Sequence, residues 1–138
     1  MAYDNNNIFA KILRNEIPAV KVFEDEHTLA FMDVMPQAQG HTLIIPKELA
    51  ENLLELSPEG AARLIQTTQK IARAVNEAFK PDGVMINQFN GPAAGQSVFH
   101  AHMHVVPRWE GVPLSRHSGA MADPAELEER AAKLRAVL

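Results

Sequence analysis

Short stretches of alternating and β-branched residues occupy the first third of the chain. The stretch 20–25 begins with alternating valine and lysine, and 28–34 follows it after a short polar link. The stretch 41–46 is rich in apolar β-branched residues and stops at Pro46. Both patterns are typical of strands. They predict three strands, and the short link predicts that the first two form a hairpin.

A helical period precedes these strands, and a longer one follows them. Apolar residues at 8, 9, 12, 13 and 17 predict a first helix that ends before Pro18. The segment 57–80 predicts the longest helix, with Ser57 as its N-cap and Pro58 at its first position. The residues expected on its apolar face are Leu64, Ile65, Thr68, Ile71, Ala72, Val75 and Phe79.

The second half of the chain continues with two strands and a helix. The segments 84–89 and 97–107 are predicted strands that flank a glycine-containing loop, and a last helical period starts after the N-cap candidate Asp123. We therefore expect one α+β domain over residues 1–138, a mostly antiparallel meander sheet with its helices on one face.

Composition narrows the class of protein. The chain has 138 residues, of which 46% are hydrophobic and 22% charged, as in one globular domain. A net charge of -4 provides no basic surface for nucleic acid or an anionic membrane. No apolar run approaches the roughly 20 residues of a membrane helix, and no signal-peptide pattern is present, so we expect a cytoplasmic protein. The lack of cysteine excludes disulfides, thiolate metal sites and a cysteine nucleophile.

Half of the six histidines fall within the stretch FHAHMHVVPR, as His100, His102 and His104. On a strand these three side chains share one face, and the apolar residues between them take the other. Buried imidazoles need hydrogen-bond partners, which makes three core histidines expensive compared with valines. We therefore expect the histidine face to meet water or a substrate.

Two kinds of chemistry fit such a row. Alternate histidines can hold Zn²⁺ or Fe²⁺, with His41, Glu110 or His117 as a further ligand. Alternatively, the middle imidazole attacks an electrophile while its neighbours orient it. The loop 90–97 supplies glycines and polar donors that suit an anion, which favours phosphoryl or nucleotidyl transfer without a metal.

The segment GQSVFHAHMHVVPR resembles the His-x-His-x-His motif of the histidine triad (HIT) family. The segment 7–47, with its G-H-x-L-x-x-P-K pattern, resembles the N-terminal half of that family. The similarity covers about 7–108, leaving 109–138 as a C-terminal extension with a helix. It implies a HIT-like fold with a five-stranded antiparallel sheet, usually in a homodimer with one continuous larger sheet. It also implies a purine nucleotide substrate carrying an AMP or GMP moiety, with no cofactor.

The resemblance assigns roles to individual positions. His102 would be the nucleophile that forms a nucleotidyl-imidazole intermediate, and His100 would orient it or assist protonation. His104 would contact the phosphate and help manage protons. His41 matches a fourth histidine of the family, and Ser97 is counted with the catalytic residues. The implied phosphate-binding positions are Asn90, Gly95, Gln96, Ser97 and His104, with Asn87 a weaker candidate. The implied ribose and base positions are Asp33, Val34, Ile8, Phe9, Ile12 and Phe31.

Several of these positions also have a purely structural interpretation. Asp33 suits an Asx turn before Pro36, and the apolar positions suit a core. Arg108, Arg116 and His117 either reach a leaving-group phosphate or are solvated loop charges.

The tail of the motif, Pro107-Arg108, differs from the Gly-Gly of the Hint branch and is closer to the bacterial Hit and fragile-histidine-triad-like branches. The cysteine zinc site of some bacterial relatives is absent or replaced here.

The implied function is a nucleotide hydrolase or transferase that acts on purine nucleoside phosphoramidates or related nucleotidyl substrates. A dinucleoside polyphosphate hydrolase and a nucleotide-binding regulatory protein with little catalysis remain as alternatives.

Overall fold

The computed structural model describes residues 3–115 and 121–138. Within that part of the chain, no helix is both long and apolar enough to cross a bilayer. The elements in chain order are α1 (Ile8–Leu13), β1 (Lys21–Glu24), β2 (Thr28–Met32), β3 (Thr42–Pro46), α2 (Pro58–Phe79), β4 (Gly83–Asn87), β5 (Met103–Arg108) and α3 (Pro124–Arg135). A short 3₁₀ helix, Pro92–Ala94, lies between β4 and β5.

The five strands form one antiparallel sheet in the order β1-β2-β3-β5-β4. This confirms the predicted α+β class and its single five-stranded antiparallel sheet. The first three strands form the meander, whereas β5 lies between β3 and β4. The 22-residue helix α2 follows β3 and carries the chain across the sheet, so that β4 becomes an edge strand.

Helices cover both faces of the sheet, so the expectation of helices on one face was wrong. Met32 and Ile44 pack with α2 and α3 in one core, while Phe31 and Leu43 pack with α1 in another. Successive residues of a strand point to opposite faces, and each face here has its own cover. For this reason β2 and β3 are buried at every position.

Two predicted boundaries and one predicted helix face differ most from the structure. The first helix ends at Leu13 rather than 17, because Asn15 adopts a left-handed backbone with φ of 61°. Ile65, expected on the apolar face of α2, is 53% exposed. The last strand begins at Met103 rather than 97, since the preceding residues bond elsewhere: the Ala101 N–H donates to the Ala50 carbonyl, 2.9 Å away.

The N-caps were predicted correctly. The Ser57 hydroxyl accepts the Gly60 N–H at 2.9 Å, and the Asp123 carboxylate accepts the Ala125 N–H at 2.9 Å. Each cap gives a helix-terminal N–H the partner that the helix itself cannot supply. These caps set the starts of α2 and α3.

Gly40 precedes β3 with φ of 87°, and a Cβ added there would lie 2.7 Å from the Phe79 ring. We expect Gly40→Ala to lower the free energy of unfolding by about 3 kcal/mol, because both the backbone and the contact oppose a side chain. Gly111→Ala is the control: its φ is 75° with open space around it, so only about 1–2 kcal/mol of backbone strain applies. Urea denaturation followed by the fluorescence of Trp109 measures both, and equal losses would show that the Phe79 contact is unimportant.

Candidate active site

A row of paired residues across the sheet brings His104 under α1. The strand register pairs Phe31 with Leu43, and Leu43 with His104. Directly paired residues point to the same face, here the face that α1 covers. His102, just before β5, meets the Phe9 ring of α1 edge-on, with ring centroids 4.9 Å apart. The last two triad histidines therefore share a face, as predicted, and their ring centroids are 5.0 Å apart.

A cleft of about 760 Å³ opens beside this row. The predicted site residues that line it are Ile8, Phe9, Ile12, Asp33, Val34, Gly95, Ser97, His102 and His104. Apolar walls with a few polar groups are typical of small-molecule sites. Phe31 is buried behind the wall, where its ring meets Phe9 edge-on at 5.5 Å.

Further lining residues were missed from the sequence: Ile17, Pro18, Met35, Leu43, Val98 and Met121. Leu43 could have been found, since it pairs with His104 once the register of β3 and β5 is known. Met121 carries no local signal. It reaches the cleft because the neighbouring Ala122 N–H donates to the Val34 carbonyl, 2.8 Å away.

The backbone fixes the tautomer of His102. Its Nδ1 lies 2.7 Å from the His100 carbonyl oxygen, which can only accept a hydrogen bond. Nδ1 therefore carries the hydrogen, and the lone pair of the neutral ring is on Nε2. The ring is 7% exposed and lines the cleft. A nucleophilic imidazole requires this protonation pattern.

A chain of hydrogen bonds likewise fixes His41 and His104. The Gln37 N–H donates to His41 Nδ1 at 3.0 Å, which places the hydrogen of the neutral His41 ring on Nε2. That Nε2 lies 3.0 Å from His104 Nδ1 and donates to it. The neutral His104 ring therefore carries its own hydrogen on Nε2. His104 lines the cleft as a hydrogen-bond donor, and His41 is buried behind it.

His100 differs from the expectation of an open histidine face, because its side chain is fully buried. Its Nε2 lies 2.8 Å from the Pro46 carbonyl and its Nδ1 bonds the Tyr3 hydroxyl. Burial lowers the pKa of His100 to about 4; the Pro46 bond opposes this shift and the nearby His102 adds to it. The ring is therefore neutral near pH 7. Both ring nitrogens of this buried histidine have hydrogen-bond partners, which removes the cost that made a core histidine unexpected.

Asp33 forms the Asx turn expected from the sequence and also lines the cleft, where a ribose-binding residue would lie. Its Oδ1 accepts the Met35 N–H at 2.8 Å, which is the Asx turn. The carboxylate also lines the cleft, and its Oδ2 lies 3.4 Å from His41 Nε2. The turn thus holds a buried acceptor at a fixed depth in the cleft.

Among the described residues, Asp33, His41 and His104 form a group that could hold a metal, with ligand atoms within 4.8 Å of one another. The Gln37 N–H keeps a hydrogen on His41 Nε2, the atom that a cation would need as a ligand. The donor set therefore fits a hydrogen-bond chain better than a metal site. Of the other ligand candidates, Glu110 lines a separate hollow, where its N–H donates to the Asp82 carboxylate at 2.8 Å, and His117 lies outside the described residues.

The side chains of Gln96 and Asn90, both predicted to bind phosphate, have hydrogen-bond partners within the protein. The Gln96 side chain accepts the Gly91 N–H at 2.8 Å and donates to the Val98 carbonyl at 3.0 Å. Asn90 accepts the Leu53 N–H at 3.0 Å, and its amide also pairs with that of Gln88. Neither lines the cleft. Their polar groups brace the loop because its backbone has no strand partner there.

Gly95 and Ser97 are the phosphate candidates that do line the cleft. Gly95 has φ of 107°, a conformation that favours glycine. Ser97 is exposed, so its hydroxyl is accessible from solvent. The braced loop thus presents a small residue and a hydroxyl beside the histidines.

Comparison with known proteins matches residues 14–111 to the HIT domain. The chain belongs to the HIT domain family. It is 49% identical over 104 residues to Protein hit of Bacillus subtilis, covering 75% of this chain and 72% of that protein. Its fold is similar to the crystal structure of a Hit-like protein of Bartonella henselae described as involved in cell-cycle regulation, with a TM-score of 0.95, 51% identity and full coverage of both chains.

Two relatives carry names that state an activity. Adenylylsulfatase HINT3 of Arabidopsis thaliana is 38% identical over 120 residues, covering 83% of this chain and 61% of that protein. Adenosine 5'-monophosphoramidase hnt1 of Schizosaccharomyces pombe is 36% identical over 118 residues, covering 78% of this chain and 86% of that protein. The HIT family, expected from the histidine motif, is confirmed.

Of the three cations considered for the leaving group, Arg108 does not line the cleft of this HIT protein. Arg108 lines a separate hollow with Trp109, where its guanidinium lies 3.5 Å from the Val112 carbonyl. Arg116 and His117 fall outside the described residues. Among the polar residues that line the cleft, Asp33, Ser97, His102 and His104 are therefore the groups available for chemistry.

Proposed function

We propose that this HIT protein hydrolyses purine nucleoside phosphoramidates, or related nucleotidyl compounds, through a covalent nucleotidyl-histidine. The observation that carries the proposal is the 2.7 Å bond from His102 Nδ1 to the His100 carbonyl, which puts the ring lone pair on Nε2. Two relatives that share most of this chain are named for splitting an adenylyl group from sulfate or from an amine. Both names describe a substrate that contains an adenylyl group.

The cleft offers one place for each part of such a substrate. The purine ring packs against Ile8, Phe9 and Ile12, whose apolar side chains form one wall. The ribose hydroxyls donate to the Asp33 carboxylate, which has acceptor oxygens and no hydrogens to offer. The α-phosphate then lies beside Ser97, His102 and His104, which also line the cleft.

The reaction proceeds in two displacements. His102 Nε2 attacks the α-phosphorus with its lone pair, and the bond from phosphorus to the leaving nitrogen breaks. The leaving amine departs with that electron pair and takes a proton from the Ser97 hydroxyl, which lines the cleft. Water then attacks phosphorus and gives one proton back to Ser97, the bond to Nε2 breaks, and its electron pair returns to the imidazole. The products are a nucleoside monophosphate and the original neutral ring.

His104 and its neighbours stabilise the charge that develops on the phosphoryl oxygens. The His104 Nε2–H is a fixed donor because His41 occupies the other ring nitrogen. Donors that are oriented before the reaction lower the barrier without reorganising during it. Gly95 also lines the cleft, and because it has no side chain the phosphate can come close to its backbone.

A substrate panel tests the proposed reaction. The panel contains adenosine and guanosine phosphoramidates, dinucleoside polyphosphates and adenylyl sulfate, with release of AMP or GMP as the readout. We expect the highest kcat/KM for a phosphoramidate. Highest turnover of a dinucleoside polyphosphate would favour that alternative activity. Tight nucleotide binding without turnover of any compound would contradict the proposed hydrolase and favour the regulatory alternative.

We also propose that two copies associate through β4. This strand is at the edge of the sheet, and its exposed Ile86 lies in a shallow hollow with Ile65 of α2. An apolar edge of this kind favours pairing with a second copy, which extends the sheet. Sedimentation velocity is expected to show a dimer for the wild-type chain and a monomer for Ile86→Asp. A wild-type monomer at concentrations well above those of the assay would contradict the dimer.

A further inference from the structure

We propose that Tyr3 is a positioning residue whose hydroxyl fixes the ring of His100 and, through His100, orients His102. We call the hydrogen-bonded pair of Tyr3 and His100 the clamp. The kinetic part of this inference rests on the proposed function, whereas its structural part does not. Tyr3 does not line the cleft, so it acts through the histidines rather than on a substrate.

Tyr3 joins the N-terminal segment to the histidine motif across 97 positions of the sequence. Its hydroxyl bonds Nδ1 of His100, and the two rings meet edge-on with centroids 5.6 Å apart. The Asn7 side-chain amide donates to the Tyr3 oxygen at 2.8 Å. Because that oxygen already accepts from Asn7, the hydrogen of the phenol is directed at His100.

The two ring nitrogens of His100 then have complementary partners. The Pro46 carbonyl can only accept, so Nε2 carries the hydrogen and Nδ1 must accept one. Tyr3 supplies that hydrogen. Burial raises the pKa of the Tyr3 hydroxyl above its ordinary value of 10, so it remains a donor at neutral pH. A fully buried ring nitrogen without such a donor would be unsatisfied, which favours a rotated ring or the other tautomer.

The clamp reaches His102 by two routes. The carbonyl of His100 holds the Nδ1–H of His102, so the position of the first residue sets the tautomer of the second. Asn7 also caps α1 by accepting the Ala10 N–H at 2.9 Å, and Phe9 of that helix packs against the His102 ring. The same short segment therefore holds His102 from its backbone side and from its ring side.

Tyr3→Phe is the direct test because it keeps the ring contact and removes only the hydroxyl. With a nucleoside phosphoramidate, we expect kcat to fall about tenfold, equivalent to one hydrogen bond in the transition state, with KM within about twofold. Nitrogen-15 spectra of histidine-labelled protein are expected to show a changed Nδ1 resonance for His100. The pKa of His100 is expected to rise, because its neutral form loses a hydrogen bond.

Asn7→Asp is the second variant, and Asn6→Asp is its control. Aspartate at position 7 still caps α1, but its carboxylate competes with His100 for the phenol hydrogen. The same change at position 6 alters an exposed neighbour whose side chain is outside the clamp. We expect Asn7→Asp to lower kcat and to change the His100 Nδ1 resonance. We expect Asn6→Asp to leave both unchanged.

Two results would overturn the clamp. One is an unchanged His100 Nδ1 resonance in folded Tyr3→Phe; the other is an unchanged kcat in an active enzyme. Lower thermal stability with both readouts unchanged would indicate a merely structural role and would also overturn it. If the wild type hydrolyses no compound of the panel, the proposed function fails, and the nitrogen-15 readout still decides the clamp on its own.

Discussion

His102→Ala is expected to lower kcat by about 10⁴-fold or more on every compound that the wild type hydrolyses. Removal of a nucleophile abolishes the covalent route and leaves only the contribution of binding and charge stabilisation. KM is expected to change much less, because the apolar walls and Asp33 still hold the nucleoside. Steady-state kinetics with a phosphoramidate substrate measure both constants.

Two companion variants make this test specific. His27→Ala removes a histidine that does not line the cleft, and its kcat is expected to equal that of the wild type. His102→Gly leaves space for added imidazole, which should restore part of the activity as an external nucleophile. Wild-type turnover by His102→Ala would remove the nucleophile assignment, and a loss of only a few-fold would indicate a role in binding.

His104→Ala is expected to lower kcat by about 10³-fold, and His104→Gln by only about tenfold. The His104 Nε2–H is held as a donor by the chain from Gln37 through His41. A glutamine amide also presents an N–H donor at the end of a side chain of similar reach, but it cannot release a proton at neutral pH. The pair of variants therefore separates hydrogen-bond donation from proton transfer.

The outcome for His104 is read from kcat and its pH dependence with the same substrate. Equal, large losses in the glutamine and alanine variants would show that the ring must exchange a proton, against the donor role. Circular dichroism of both variants serves as the folding control, because His104 is buried and pairs with Leu43. A variant that loses its folded spectrum would be replaced by His104→Asn, which has a shorter amide.

The sequence predicted the fold class and most lining residues because periodicity and motif spacing are local properties. The histidine motif, the helix caps and the alternating strands each depend on a few neighbouring residues. Local patterns of this kind are readable without the tertiary structure.

Other features depend on contacts between distant segments. Burial of His100 depends on Tyr3, 97 positions away, and on the Pro46 carbonyl. No local sequence pattern predicts that Tyr3 or the Pro46 carbonyl contacts His100. Likewise, Gln96 was predicted to bind phosphate, and in the structure its side-chain amide donates to the Glu51 carbonyl, 45 positions away, at 2.6 Å. An amide side chain suits both tasks equally, and only the three-dimensional path of the loop decides between them.

The helix positions also include features that the local sequence predicts and features that depend on distant segments. The amphipathic pattern of α2 is visible in the sequence, but which of its flanks faces solvent depends on where the sheet ends. Ile65 is exposed because α2 crosses the sheet near its β4 edge, where Ile86 is exposed as well. The strand order, with β5 between β3 and β4, could not be read from periodicity.

The stereochemical course at phosphorus tests the covalent intermediate most directly. Each in-line displacement inverts a chiral phosphorus, so two displacements restore its configuration and one does not. With a single phosphorus diastereomer of an adenosine phosphorothioamidate hydrolysed in oxygen-18 water, we expect overall retention of configuration. Overall inversion would mean that water attacks the substrate in a single step, and would contradict the nucleotidyl-His102 intermediate.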